Sequence, residues 1–254
     1  MADTTASASI ATPAPAIWID DVFAQAWIAF VAHWAIFSGI AMVANAAMLV
    51  VKVPTMWTIT SNYVILISYY WEPFLNILPD SAIQSLADAV ICVIVSQELG
   101  GRPFSLGQAL GMALHQSPAL IAVALLQAIS ILAGLFLIVP ILVVQSVYAV
   151  AVPACVVERT GPIKALSRSE FLTKNNRWRI VGFTVALALC ASIPVLIIAY
   201  LGGRTGHPII ATAVRLPVAG IANGFGAVAV AVLYAQLRLA REGADIEHIV
   251  QVFD

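Results

Sequence analysis

Hydrophobic positions in this chain gather into long charge-free runs broken by short polar stretches, the pattern of a polypeptide that crosses a bilayer several times. A hydrocarbon core about 30 Å thick takes about 20 helical residues, with a lower limit near 17. Six runs approach or reach that length: 35–52, 81–99, 118–138, 141–157, 180–201 and 216–237. The first ends at Lys52, whose stem can snorkel to the interface. Its amide side chain, Asn45, calls for a partner on another helix. The third and fourth come from a single stretch, Pro118 to Val157, forty residues without a charge. As one helix it would extend about 60 Å, twice the hydrocarbon thickness, so it must fold back. Pro140 is the place to turn, and Pro153 and Pro194 predict kinks in the spans they occupy.

The segments between the runs are more varied. Residues 1–18 are small and polar with prolines; they predict a disordered tail and have neither the basic start nor the apolar core of a signal peptide. Asp20 and Asp21 can cap a helix with Phe23, Trp27, Phe30 and Trp34 at i, i+4, i+7 and i+11. Ala24, Gln25 and His33 lie opposite, which predicts an amphipathic helix in the bilayer interface and makes His33 an interface residue rather than a ligand. Residues 53–81 are interrupted by Pro54, Glu72, Pro73, Pro79 and Asp80 and hold Trp57, Tyr63, Tyr69, Tyr70, Trp71 and Phe74. They predict an extramembrane loop with an interfacial or re-entrant helix. Ser105 caps a short helix, and Ser117 with Pro118 opens the next.

Composition agrees: 61% of residues are hydrophobic and 10% charged, too few charges to clothe a soluble surface, which takes about 25%. The net charge of -1 says little, because the charges are segregated along the chain. Val156 to Ile180 carries Arg159, Lys164, Arg168, Lys174, Arg177 and Arg179, half of all the basic residues, against Glu158 and Glu170. Short basic loops stay on the side of insertion, so this segment sets the orientation. With both termini cytoplasmic, nine basic residues lie inside, the six above with Arg102, Arg238 and Arg241, against Lys52, Arg204 and Arg215 outside. Cys92, Cys155 and Cys190 sit in apolar runs without paired spacing and indicate neither a disulfide framework nor a zinc site.

Candidate chemistry is sparse. Ser81, Ser85, Asp88, Cys92 and Ser96 share one helical face of the second span. An ionisable group about 10 Å into a span is a candidate functional site. Arg215 is its candidate partner, and a carboxylate bonded or protonated within a packed bundle is the alternative. Gly220 and Gly224 form a GxxxG in the sixth span, which lets helix backbones approach closely. HExxH, GxxxxGK, GxSxG and DxDxDG are all absent, and the four histidines fall in separate segments. The expectation is a non-enzymatic protein without metal or cofactor, and without nucleic-acid partners, since topology accounts for the basic segment.

Two stretches carry a family resemblance: AVPACVVERTGPIKALSRSEFLTKNNRWRI and LYAQLRLAREGADIEHI. They resemble the signature motifs of bacterial YciC-like proteins and of the membrane domain of some glycerophosphoryl diester phosphodiesterases, with a likeness running from about Ile19 to the end. The resemblance implies an all-α, six-helix inner-membrane domain. It does not bring esterase activity, because that chemistry belongs to a separate domain opening on an HRG motif that this chain lacks. The expected role is an accessory or assembly subunit. Glu158, Lys164, Arg168, Lys174, Arg177, Arg179 and Arg238 would then form a cytoplasmic docking surface for anionic lipid headgroups, other membrane subunits or a second copy. The rival is a carrier for a lipid or small amphiphile, which requires a cavity reaching Asp88.

Overall fold

The structure, a computed structural model, describes residues 19–59, 65–134, 144–174, 176–205 and 208–253. The described residues are helical throughout, joined by short turns. In order they are α1 (Ile19–Ala32), α2 (Trp34–Ile59), α3 (Ile65–Leu99), α4 (Leu106–His115), α5 (Ser117–Gly134), α6 (Ala151–Val157), α7 (Pro162–Thr173), α8 (Arg177–Thr205) and α9 (Pro208–Phe253).

Four segments are long and apolar enough to cross a membrane: Trp34–Val51, Asn76–Leu99, Arg177–Gly202 and Thr212–Gly243. Leu106–His115 and Ser117–Ile129, bent by 67° at their junction, make a fifth when taken as one span. Val144–Val157 is apolar but shorter, with a turn at 149–150. The fold is therefore an all-α polytopic membrane protein with four or five such helices among the described residues. The expected turn at Pro140 and the tail at 1–18 lie outside those residues.

Packing follows from having lipid as solvent. The interior is small and close, with Ala41, Ala89, Ala128, Ala154 and Ala229 buried beside Ile91, Ile94, Val123 and Val228. Large apolar side chains such as Val43, Leu125, Leu189, Ile193 and Ile197 face outward instead. Exposed apolar surface on that scale is a liability in water and the normal condition of a bilayer-facing wall.

Two expectations are corrected. The stretch from Ile65 to Asp80 is not a loop: α3 runs without interruption from Ile65 to Leu99, through Pro73 and Pro79. Each proline removes one backbone bond, a loss that helices in a membrane bundle absorb when neighbouring groups satisfy the freed carbonyls. The side chains of Trp57, Tyr63, Tyr69, Tyr70, Trp71 and Phe74 lie outside the described residues. In α1, the aromatic row is in part a packing face: Phe23, Trp27 and Phe30 lie against Phe225 of α9, at ring distances of 6.4, 6.0 and 5.6 Å, and Phe23 meets Phe183 of α8 at 5.1 Å. Val22 and Ala26 are buried with Phe30, while Trp27 and Trp34 are 60% and 56% exposed.

Helix ends are set by local chemistry. Gly101, at φ +66°, closes α3 as the Arg102 N–H bonds to the Gln97 carbonyl. Ser105 caps α4 by accepting from the Gln108 N–H. At the end of α6 the Thr160 N–H reaches the Cys155 carbonyl at 3.2 Å, which forces the intervening Arg159 to φ +51°. Glycine is the usual occupant of that position.

Candidate functional site

The basic segment folds into the end of α6, the helix α7 and the start of α8, and the stretch of α9 from Tyr234 to Glu242 meets it. Ala165, Ser169, Leu172 and Thr173, spaced by four, three and one, turn one side of α7 inward. That places Arg168 at the edge of the buried side, facing Glu158 and Glu242.

One network results. Glu158 Oε1 accepts from Arg168 Nε at 2.8 Å and from the Tyr234 hydroxyl at 2.8 Å. Glu242 accepts from Arg168 Nη2 through Oε1 and from Arg238 Nε at 2.6 Å through Oε2. Burial works against the Arg168 charge, but the bonds to Glu158 and Glu242 outweigh it and hold its pKa above the ordinary arginine value. Arg241 adds a bond to the Lys174 carbonyl, and the guanidinium groups of Arg168 and Arg241 lie 5.8 and 5.6 Å from the Phe171 ring centre. Glu158 and Arg168 belong to the first family-like stretch, Tyr234, Arg238 and Glu242 to the second. The two stretches are one clamp.

The clamp divides the seven expected docking residues. Glu158, Arg168 and Arg238 are committed to it, and Arg177 lies 3.4 Å from Glu170. Lys164 and Lys174 are exposed with no ion pair among the described residues, and Arg179 is exposed beside them. Ile163 and Trp178, 79% and 73% exposed, put bulky apolar groups among these charges.

The polar stripe of α3 is less coherent than its spacing. Ser85 and Cys92 are buried, Ser96 bonds back to the Val93 carbonyl at 2.8 Å, and Asp88 is half-buried, accepting from Gln84 on its own helix at 2.8 Å. Arg215 is exposed on α9 and makes no ion pair with Asp88 among the described residues. Gln84, not Arg215, is the side-chain partner of Asp88 among the described residues. Asp88 does not line the cavity described below.

Gly220 and Gly224 face α2 within the same chain. A Cβ at Gly224 would fall 2.9 Å from the Phe37 carbonyl oxygen, and one at Gly220 3.0 Å from the Met42 Cβ. On the same interface Asn223 donates to Asn45 at 3.3 Å, and Asn45 donates to the Ala41 carbonyl at 2.8 Å.

Neither known family models, nor characterised proteins, nor solved structures match this chain.

Three further features were not read from the sequence. His33 Nδ1 lies 3.2 Å from Glu98, with its ring edge-on to Phe104 at 5.1 Å, so it links the α1–α2 corner to the end of α3. Gln116, at the α4–α5 bend, donates to the Val156 carbonyl at 3.4 Å and ties that bend to α6. A cavity of about 890 Å³ opens beside it, lined in part by Gln97, His115 and Arg159. Its one sequence signal is the recurrence of glutamine, at 97, 108 and 116. No group of three or more His, Cys, Asp or Glu able to hold a metal gathers among the described residues.

Proposed function

We propose that this protein is a non-enzymatic inner-membrane accessory or assembly subunit, with six spans, an amphipathic N-terminal helix at the interface and both termini in the cytosol. The observation that carries the reading is the division of labour in the basic segment. One side of α7 and the Tyr234–Glu242 stretch of α9 are locked by Glu158, Arg168, Tyr234 and Glu242, while Lys164, Lys174, Ile163 and Trp178 remain outward. A locked frame holding cations and bulky apolar groups at the bilayer boundary suits docking to anionic headgroups and to a membrane partner. The nine-to-three distribution of basic residues supports the orientation. The likeness of these two stretches to YciC-like proteins supports the assignment to that group.

The test is gentle extraction of the full chain from bacterial membranes, with identification of the proteins and lipids that come with it. Parent protein should bring a defined subunit and anionic lipid, and Lys164→Glu with Lys174→Glu should lose both. Recovery of the parent as a bare monomer, or equal recovery with the double variant, overturns the proposal.

A further inference from the structure

The bend between α4 and α5 faces the turn that follows α6, and the cavity of about 890 Å³ lies between them. That volume is in the range of small-molecule sites, about 300–1,000 Å³. Its polar lining comes from Gln97, Gln108, His115, Gln116, Arg159 and Thr160, and none of its eleven lining residues is an acid. Arg159 is the cation. Its Nη2 contacts the Met112 sulfur at 3.6 Å, a weak acceptor that leaves most of the five guanidinium N–H donors unspent.

The apolar surroundings say what kind of ligand. Pro118 lines the cavity, and Ile121, Leu125 and Ile129 follow it at i+3, i+7 and i+11 on the same face of α5, all three exposed. They form a track leading from the cavity along a helix apolar enough to enter the bilayer. Leu106, Leu110 and Leu114 make a second exposed row along α4, with Ala109 and Ala113 buried behind it. The cavity thus sits where a headgroup would lie if a chain ran down the α5 track.

We propose that this cavity binds one glycerophospholipid, with the phosphate on Arg159 and an acyl chain along Ile121, Leu125 and Ile129. The site is distinct from the Lys164 and Lys174 surface and does not depend on an accessory role.

The test uses the full chain in dodecyl maltoside and native mass spectrometry, with dioleoyl phosphatidylethanolamine, phosphatidylglycerol and phosphatidylcholine, and with sn-glycerol 3-phosphate. The parent should retain one molecule of phospholipid, whichever of the three headgroups it carries, and should not retain sn-glycerol 3-phosphate. Arg159→Gly is the decisive variant, because glycine relieves the positive φ at this position. It should melt at or above the parent temperature without lipid, yet lose the bound lipid at least tenfold. Arg204→Gln, elsewhere in the chain, should change nothing. Failure of the parent to retain phospholipid, undiminished lipid on Arg159→Gly, or equal binding of sn-glycerol 3-phosphate would each overturn the proposal.

Discussion

Tyr234 donates its phenolic hydrogen to Glu158 at 2.8 Å, across 76 positions of sequence. The bond fixes α9 at Tyr234 against the turn between α6 and α7, and through Glu158 it reaches Arg168. A hydrogen bond to a charged group contributes about 1.5–3 kcal/mol, so Tyr234→Phe should lower stability by about that amount. Glu158→Ala should cost more, since it leaves the Tyr234 hydroxyl and part of Arg168 without an acceptor. Arg238→Ala should cost only about 0.5 kcal/mol, because its pairing with Glu242 is an exposed i, i+4 contact. Thermal unfolding in detergent measures all three. If Tyr234→Phe and Glu158→Gln add without coupling, the bond is not formed in solution.

The α2–α9 contact depends on missing side chains. Gly224→Ala must push the α9 backbone away from the Phe37 carbonyl, a rigid neighbour, and Gly220→Ala must displace the Met42 side chain and backbone. Overpacking of this kind costs about 1–3 kcal/mol, and Gly224→Ala should be the more severe. Gly226 is the control: a Cβ there meets nothing within 4 Å, so Gly226→Ala should be neutral or stabilise by up to about 1 kcal/mol. Melting temperatures in that order test the contact, and equal losses at Gly224 and Gly226 would remove it.

What the sequence made legible follows from the range of each interaction. The apolar runs at 35–52, 180–201 and 216–237 announce α2, α8 and α9 because hydropathy is a local property. The i, i+4 spacing of Arg238 and Glu242 is local too, and so is their pairing. The start of α3 was not legible, since Pro73, Pro79, Glu72 and Asp80 are breaking signals in the sequence, yet the helix runs through all four positions. Nor was the bridge from Arg168 to Glu242, 74 residues apart, because sequence spacing carries no record of which helix ends meet. Arg159 was visible only as a charge. Its left-handed backbone, and hence its place on the cavity wall, depends on the turn after α6, which has arginine where glycine would have signalled it.

Asn45 and Asn223 form the polar seam between α2 and α9, at 3.3 Å. Side-chain hydrogen bonds between membrane helices average about 0.6 kcal/mol in double-mutant cycles. Asn223→Ala and Asn45→Ala should therefore show a coupling of about that size, with Asn45→Ala the more costly single change because it also loses the bond to the Ala41 carbonyl. Asn45→Leu tests whether packing or polarity matters there: a loss no smaller than that of Asn45→Ala points to the hydrogen bond.

The six-span arrangement is the prediction on which the orientation rests, and cysteine labelling resolves it. Cys92 and Cys155 are buried, and Cys190 is exposed on the apolar wall of α8, so Cys190→Ala gives a background with little reactivity toward a membrane-impermeant maleimide. On that background Lys164→Cys should label only after the cells are opened, and Arg204→Cys should label in intact cells. With the N-terminus in the cytosol, those two results require an even number of crossings before α7 but do not distinguish two from four. Val139→Cys, outside the described residues, makes that distinction. With six spans the stretch before Val144 faces outward and the site labels in intact cells. If α4 with α5 and then Val144–Val157 dip into the bilayer and return, it stays shielded or inside, and the count falls to four. Labelling of Lys164→Cys in intact cells would reverse the orientation of the basic segment and remove its anionic-lipid docking role.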